Sequence, residues 1–358
     1  MGPKSMIISS AALAAAVCVA AAAPVAAHPP SETARDDAYT VRAGRTLTVS
    51  RPGVTRNDHG RPATLVAHSL PSHGSLKINS DGSFRYTPEV GFTGRDSFDY
   101  TVSDAVSLYR SELPPLATVG GIAIGSSAYG SSIAPVPQRR GVPHHDEYYG
   151  LTDRGPNVDG PTDNVKIEPV PDFHPAIGRF RFVNGKAVLI KKIELRAADG
   201  TPYNGQVNPE ADTGETIEGL DGRPLPTSTL GYDPEGLVAL PDGTFWVSDE
   251  YGPYITHFAA DGRALERLSP SNGSLPAELA KREVNKGMEG LTITPDGSTL
   301  VGIMQSALHQ DDLAAKVKNV APVRIVTVDL RTHQTHEYLY LLDDPDQRHR
   351  GQRDHRAG

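Results

Sequence analysis

The 358-residue chain has a single cysteine, Cys18, and it falls within the first thirty residues. Without that N-terminal stretch the chain has no disulfide and no thiol chemistry. It must fold on packing alone, with at most a metal to help. Aromatic residues are sparse at 6%, with one tryptophan. Positive charge is short as well: 35 Lys and Arg stand against 43 Asp and Glu, a formal net charge of −8. That balance argues against nucleic acid as a partner. No long helical stripe is present; only "SLPAELAKREV" (274–284) predicts one short helix. The chain lacks Gly-x-Ser-x-Gly, so a standard α/β-hydrolase triad is not expected. It also lacks His-Glu-x-x-His and a phosphate-binding glycine loop.

The segment "MGPKSMIISSAALAAAVCVAAAAPVAAHPP" has a basic Lys4, a small-residue apolar run, and then Val25-Ala26-Ala27. It reads as a secretory signal peptide over residues 1–27, cut after Ala27. A transmembrane anchor is the alternative, disfavoured because the run is Ala-rich and ends in small residues rather than a charged stop. Val17 is a poor residue before a lipidated cysteine. The expectation is a secreted, extracellular protein with no membrane insertion after cleavage.

Glycine (35) and proline (30) are plentiful, as many short strands joined by tight turns require. The predicted class is all-β. Residues 28–35 are polar. Over 36–104, "AYTVRA", "TLTVS", "GSLKINSDGSFRYTP" and "DSFDYTVSD" alternate with period two, and Asp81-Gly82 marks a hairpin turn. This order predicts a small β-sandwich. It resembles the bacterial Ig-like and cadherin-like modules of secreted and surface proteins, which implies a spacer or adhesion role and contact with a cell surface or matrix. Asp99 and Asp104 are candidate calcium ligands there, with solvated carboxylates the plainer reading. Residues 105–118 read as a linker.

From 119 to 344 a different pattern runs. "EGLVALPDGTFWV" begins at Glu235 and "EGLTITPDGSTLV" at Glu289, in register through Pro-Asp-Gly. A weaker copy comprises "SSIAPVP" (131–137) and "EYYGLTDRGP" (147–156), whose end aligns with "VSDEYGP" (247–253). Repeats of about fifty residues in an all-β chain predict a β-propeller. The three segments 177–195, 254–268 and 324–342 read as outer hairpins, and Trp246 as core. His333 and His336 on a hairpin, and His144-His145-Asp146 in a Pro-rich loop, read as surface groups.

The first strand of a blade lines the central channel. Glu235 and Glu289 hold the same register in consecutive blades, so they should meet at one mouth. The intervening hairpin brings Asp249 and Glu250 to the same side, and Asp153-Arg154 occupies the matching place in the first copy. Crowded carboxylates repel unless a cation or proton sits among them. Oxygen donors without Cys or paired His favour Ca2+ over zinc. Solvated turn carboxylates are the competing reading.

"EYYGLTDRGPNVDGP", "YDPEGLVALPDGTFWVSDEYGPYITHF", "NKGMEGLTITPDGSTLVGIMQSAL" and "RIVTVDLRTHQTHEYLYLLD" resemble the secreted bacterial "esterase-like activity of phytase" family. The resemblance implies a propeller and hydrolysis of phosphate or carboxylic esters. It matches Glu235, Asp249, Glu250 and Glu289 to acidic motifs that bind calcium in propeller phytases. On that footing Glu235, Glu250, Glu289 and Asp153 are expected as metal ligands, and Asp249 as the group orienting or deprotonating a water. Arg154 and Lys286 would hold phosphate oxygens of a small-molecule ester; for Arg154 a salt bridge to Asp153 or Asp249 is an equal alternative. The alternative function is a non-catalytic propeller binding a surface or matrix ligand.

The tail "PDQRHRGQRDHRAG" (345–358) is abruptly rich in Arg, His and Gln and lacks apolar period. It reads as a disordered basic tail, or as a shifted reading frame ending a truncated, inactive propeller with unpaired blade edges.

Overall fold

The computed structural model describes residues 4–10, 34–58, 64–103, 106–125, 129–137, 146–162, 164–210, 214–283, 285–309 and 321–342. It is all-β, with two short 3-10 turns among the described residues, Gly53–Thr55 and Ala277–Lys281. The second lies inside the segment expected to be helical. The tail after 342, His144-His145 and Asp104 lie outside the described residues. The chain divides into two compact units, Met1–Tyr109 and Arg110–Gly358.

The first unit is a sandwich. One sheet runs Asp37–Val41, Lys4–Ser10, Asp99–Ser103, Thr64–His68; the other runs Leu47–Val49, Phe84–Pro88, Gly74–Ile78. Val54, Leu65, Phe84, Tyr86, Phe98 and Tyr100 fill the space between them. The period-two alternation of "GSFRYTP" becomes Phe84 and Tyr86 inward and Arg85 and Thr87 outward. Gly82 takes φ +80 in the turn at Asp81-Gly82, and the Asp81 carboxylate accepts the Ser83 N–H. Asp99 is exposed. Lys4–Ser10, from the segment read as a leader, pairs antiparallel with Asp37–Val41 and parallel with Asp99–Ser103.

The second unit contains three consecutive antiparallel sheets of blade form. The first blade comprises Ser132–Pro135, Glu147–Leu151, Ala176–Val183 and Lys186–Glu194, with Arg110–Ser111 adding a parallel edge strand. That edge strand lies in the stretch read as a linker. The second blade is Pro234–Ala239, Phe245–Asp249, Ile255–Phe258 and Ala264–Leu268. The third is Met288–Ile293, Thr299–Met304, Pro322–Asp329 and Thr335–Leu341. All three outer hairpins fall where the alternation put them. The first turns at Asn184-Gly185 with φ +50 and +74, as a two-residue hairpin loop demands.

Blades stack through apolar faces. Leu151, Ile177 and Ile193 of the first meet Leu237, Phe245 and Val247 of the second. Val238, Trp246 and Ile255 of the second meet Met288, Leu300 and Val326 of the third. Trp246 is buried and stacks on His257 at 4.4 Å. The inner strands of successive blades also touch each other. Gly236 sits at one such contact: a Cβ there would lie 2.5 Å from Ser248 Oγ and 2.6 Å from Leu291 Cβ. The glycine of the Glu-Gly-Leu repeat is therefore a packing requirement. Gly236→Ala is expected to destabilise by about 1–3 kcal/mol through overpacking. Urea unfolding checks this; an unchanged midpoint would contradict the close approach.

An inserted sheet takes Val158–Asp159 and Val165–Glu168 from the loop between the second and third strands of the first blade, and Thr216–Gly219 from the stretch between the first and second blades. Its last two strands run parallel. Without a turn dipeptide or a repeat partner, strands of two and four residues carry too little alternation to be read from sequence, and none of these three was.

Candidate metal centre

Pro234–Ala239 and Phe245–Asp249 are antiparallel neighbours, with Pro234 opposite Asp249. Glu235 therefore starts one strand where Asp249-Glu250 ends the other. One carboxylate oxygen each from Asp233, Glu235 and Glu250 lies within 4.8 Å of the others. Asp233 and Glu250 are buried and Glu235 is half-buried. The backbone locks this corner: the Glu250 N–H donates to the Asp233 carbonyl at 2.9 Å.

The electrostatics carry the sign of an uncompensated anionic cluster. Burial, then the charges of Asp233 and Glu289, push the Glu235 carboxyl up to about 9. Burial and the same two neighbours push Glu250 up to about 10, and a hydrogen bond to Glu289 holds its proton. Asp233 rises to about 7, by burial and despite Arg154. Asp153 is raised chiefly by burial. Glu168, reaching in from the inserted sheet, is pushed to about 8 by burial, and its Oε1 is buried with no hydrogen-bond partner.

The structure brings Glu235, Glu250 and Glu289 together as the repeat register required, with Asp153 adding to the field at Glu235. Asp233, Glu168 and Glu215 were not singled out from sequence. Asp233 stood two residues before Glu235, but its repeat partner is Gly287, so register comparison passed over it.

Two of the three groups given chemical roles, Asp249 and Arg154, are engaged in the scaffold. Asp249 is fully buried; one oxygen accepts the Asp233 N–H and the other the Gly252 N–H, both at 2.7 Å. It shapes the turn that carries Glu250. The Arg154 guanidinium is 3% exposed and ion-paired with Glu215, with Nε 3.6 Å from Asp233. Its Nη1 also donates to the Tyr251 hydroxyl, which donates to the Gly205 carbonyl at 3.1 Å. The salt-bridge alternative is thus the observed state, though with Glu215 and Asp233 rather than Asp153 or Asp249. Lys286 is half-buried beside the mouth and donates to Gln305 Oε1 at 3.4 Å. His333 and His336 are exposed.

A set of three convergent carboxylate oxygens, two from buried residues and one from a half-buried residue, without His or Cys, fits a hard divalent cation. The raised carboxyls say the same thing from the other side: positive charge is what the cluster lacks.

The family profile "Phytase-like: Esterase-like activity of phytase" matches residues 138–356. The chain belongs to that family. A bacterial Ig domain profile, Big_9, matches residues 23–111. The phytase-like match extends through most of the tail expected to fall outside the family pattern, and the Ig match begins inside the segment read as a leader. An uncharacterized secreted protein of Arthroderma benhamiae is 32% identical, over 43% of this chain and 38% of its own length. The chain thus spans well under half of that relative. Among solved structures, the Niastella koreensis GH74 enzyme aligns with TM-score 0.25 and 12% identity, covering 58% of this chain and 29% of that one. Among the described residues, no helix is long and apolar enough to cross a membrane.

Proposed function

We propose that this phytase-like chain is a secreted, calcium-dependent hydrolase of phosphate or carboxylic esters acting at the carboxylate-lined propeller mouth. The observation that carries the reading is the convergence of Asp233, Glu235 and Glu250 on one point. Asp233, Glu235 and Glu250 would hold the ion, with Glu289 and Asp153 at its edge. A bound calcium would supply charge neutralisation and Lewis acidity toward an ester oxygen. Glu289, hydrogen-bonded to Glu250, is the carboxylate best placed to take a proton once Glu250 is ionised. Lys286 is the cation beside the mouth for a phosphate oxygen. Arg154 holds Asp233 in place rather than touching substrate. The Ig-like unit serves as a spacer or surface contact.

A panel of phosphomonoesters and carboxylic esters, assayed with calcium and with a chelator, tests the activity. Calcium-dependent turnover that falls at least a hundredfold in Glu235→Gln/Glu250→Gln is expected, in the range typical of lost electrostatic stabilisation. The engagement of both Asp249 and Arg154 in the scaffold favours one second reading, a calcium-stabilised ligand-binding propeller without turnover. It predicts calcium binding with no hydrolysis of any ester.

Secretion has its own test. The exported protein should begin at His28, read by N-terminal sequencing. Retention of residues 1–27 in the exported product would contradict the leader reading.

A further inference from the structure

A second site lies on the first blade, and none of the carboxylates assigned to the cation centre lines it. The segment Leu113-Pro114-Pro115-Leu116 roofs a cavity of about 230 Å³ whose walls include Tyr129, Phe173 and Leu189. Its lining is mainly apolar. An apolar cavity of about 150 Å³ is enough to take a benzene ring. At about 230 Å³ this one has room for a single substituted ring or a short acyl chain.

Besides the hydroxyls of Thr152 and Tyr129, two basic side chains line it, His174 and Lys192. The His174 ring nitrogen Nδ1 lies 2.9 Å from the Tyr203 carbonyl. A carbonyl only accepts, so Nδ1 carries the proton and Nε2 is left as an acceptor in the neutral ring. The other is Lys192, whose Nζ contacts Glu194 at 3.2 Å. Glu194 is also ion-paired with Arg196 at 2.6 Å. Two cations thus share one carboxylate. Releasing Lys192 leaves Glu194 paired with Arg196, so Lys192 is available to an anion. In a chain of net charge −8 this is a local surplus of positive charge at the rim of an apolar cavity.

We propose that this cavity binds a small monocarboxylate with an apolar body, an arylcarboxylate or a short-chain fatty acid, its carboxylate on Lys192 and its ring or chain under the Leu113–Leu116 roof. The proposal is independent of the chemistry at the mouth. It does touch the same scaffold: Thr152, in the cavity wall, donates to the Asp153 carbonyl at 3.1 Å, and Phe173 packs where a Cβ on Gly155 would lie, 2.7 Å from its ring.

Titration of the full mature protein with benzoate, hexanoate and the neutral benzyl alcohol, followed by ligand-observed NMR and calorimetry, tests it. Saturable binding of benzoate or hexanoate at one site is expected. Leu189→Trp should abolish it by filling the cavity, with far-UV circular dichroism and melting temperature retained. Lys192→Gln should weaken benzoate about tenfold, roughly one ion-paired contact, and leave benzyl alcohol unchanged. No saturable binding by the parent protein, or binding unchanged in a folded Leu189→Trp, overturns the site. Equal effects of Lys192→Gln on benzoate and benzyl alcohol overturn the role of Lys192. A second filling variant, Leu116→Trp, decides the case if Leu189→Trp does not fold.

Discussion

Stripped of divalent cations, the protein is expected to lose stability steadily as pH rises from about 5 to about 10. The groups responsible are Glu235, Glu250, Asp233 and Glu168, held up at about 9, 10, 7 and 8 in the folded state by burial and mutual repulsion. In the unfolded chain they titrate near 4. Between those limits the folded state binds more protons than the unfolded one, so stability falls with rising pH. The contribution is fully present below about pH 4 and is lost as pH passes through the folded values. Acid works against other groups: Glu147 is held low, despite burial, by its bonds to Arg181 and Arg179 and loses that benefit on protonation. The cation-free optimum therefore lies near pH 5. A tenfold change in proton affinity is worth about 1.4 kcal/mol; these neighbours titrate together rather than independently, and the unfolding free energy moves by at least several kcal/mol. Melting temperature should drop by about 10 °C or more across the range. Saturating calcium should remove most of that slope, because it binds only the folded state and replaces the protons. Thermal melts in chelator and in calcium from pH 5 to 10 check this; a cation-free melting temperature that stays flat or rises with pH contradicts it.

Arg154→Met is expected to be the most damaging single substitution at the mouth. The guanidinium is the buried counter-charge to Glu215 and Asp233, and its removal takes the balancing positive charge away from both carboxylates. Breaking such a pair costs about 3–5 kcal/mol. Melting temperature should fall by about 10 °C or more in chelator. Calcium should then stabilise the variant more than the parent, since the cluster has become more negative. Adding Glu215→Gln should recover part of the loss. A phosphate-gripping Arg154 would behave otherwise: KM would rise, with melting temperature and the calcium effect little changed. Denaturation in chelator and in calcium separates the two roles.

Residues in register between repeats were legible; those supplied by one copy alone were not. Glu-Gly-Leu at 235 and 289 put two glutamates at one mouth because blade geometry converts register into position. The hairpins at Asn184-Gly185 and Asp261-Gly262 followed from turn chemistry. Asp233 was hidden for a physical reason. Its counterpart Gly287 is forced: a Cβ there would lie 2.0 Å from the Glu250 carbonyl oxygen. The third blade gives up a side chain so that its strand can approach the corner carrying Glu250, and with it goes the repeat signal for an acidic position. Glu168 and Glu215 come from the insert beside the first blade, which has no counterpart to compare. Arg154 and Asp249 both lie against Asp233, engaged with buried groups, which the repeat did not foretell because register tells where a side chain starts and not which partner it reaches. The chain's position in the Ig-like and phytase-like families was legible from its motifs, since turn dipeptides and strand alternation recur over whole domains.

Diffraction from crystals of the mature protein soaked in calcium is the most direct test of the cation centre. The account predicts one ion with carboxylate oxygens of Asp233, Glu235 and Glu250 about 2.3–2.6 Å away, with the Arg154–Glu215 pair intact behind it. Crystals saturated with calcium that show no ion at that point, with Glu250 and Glu289 still in direct carboxyl–carboxyl contact, would contradict it.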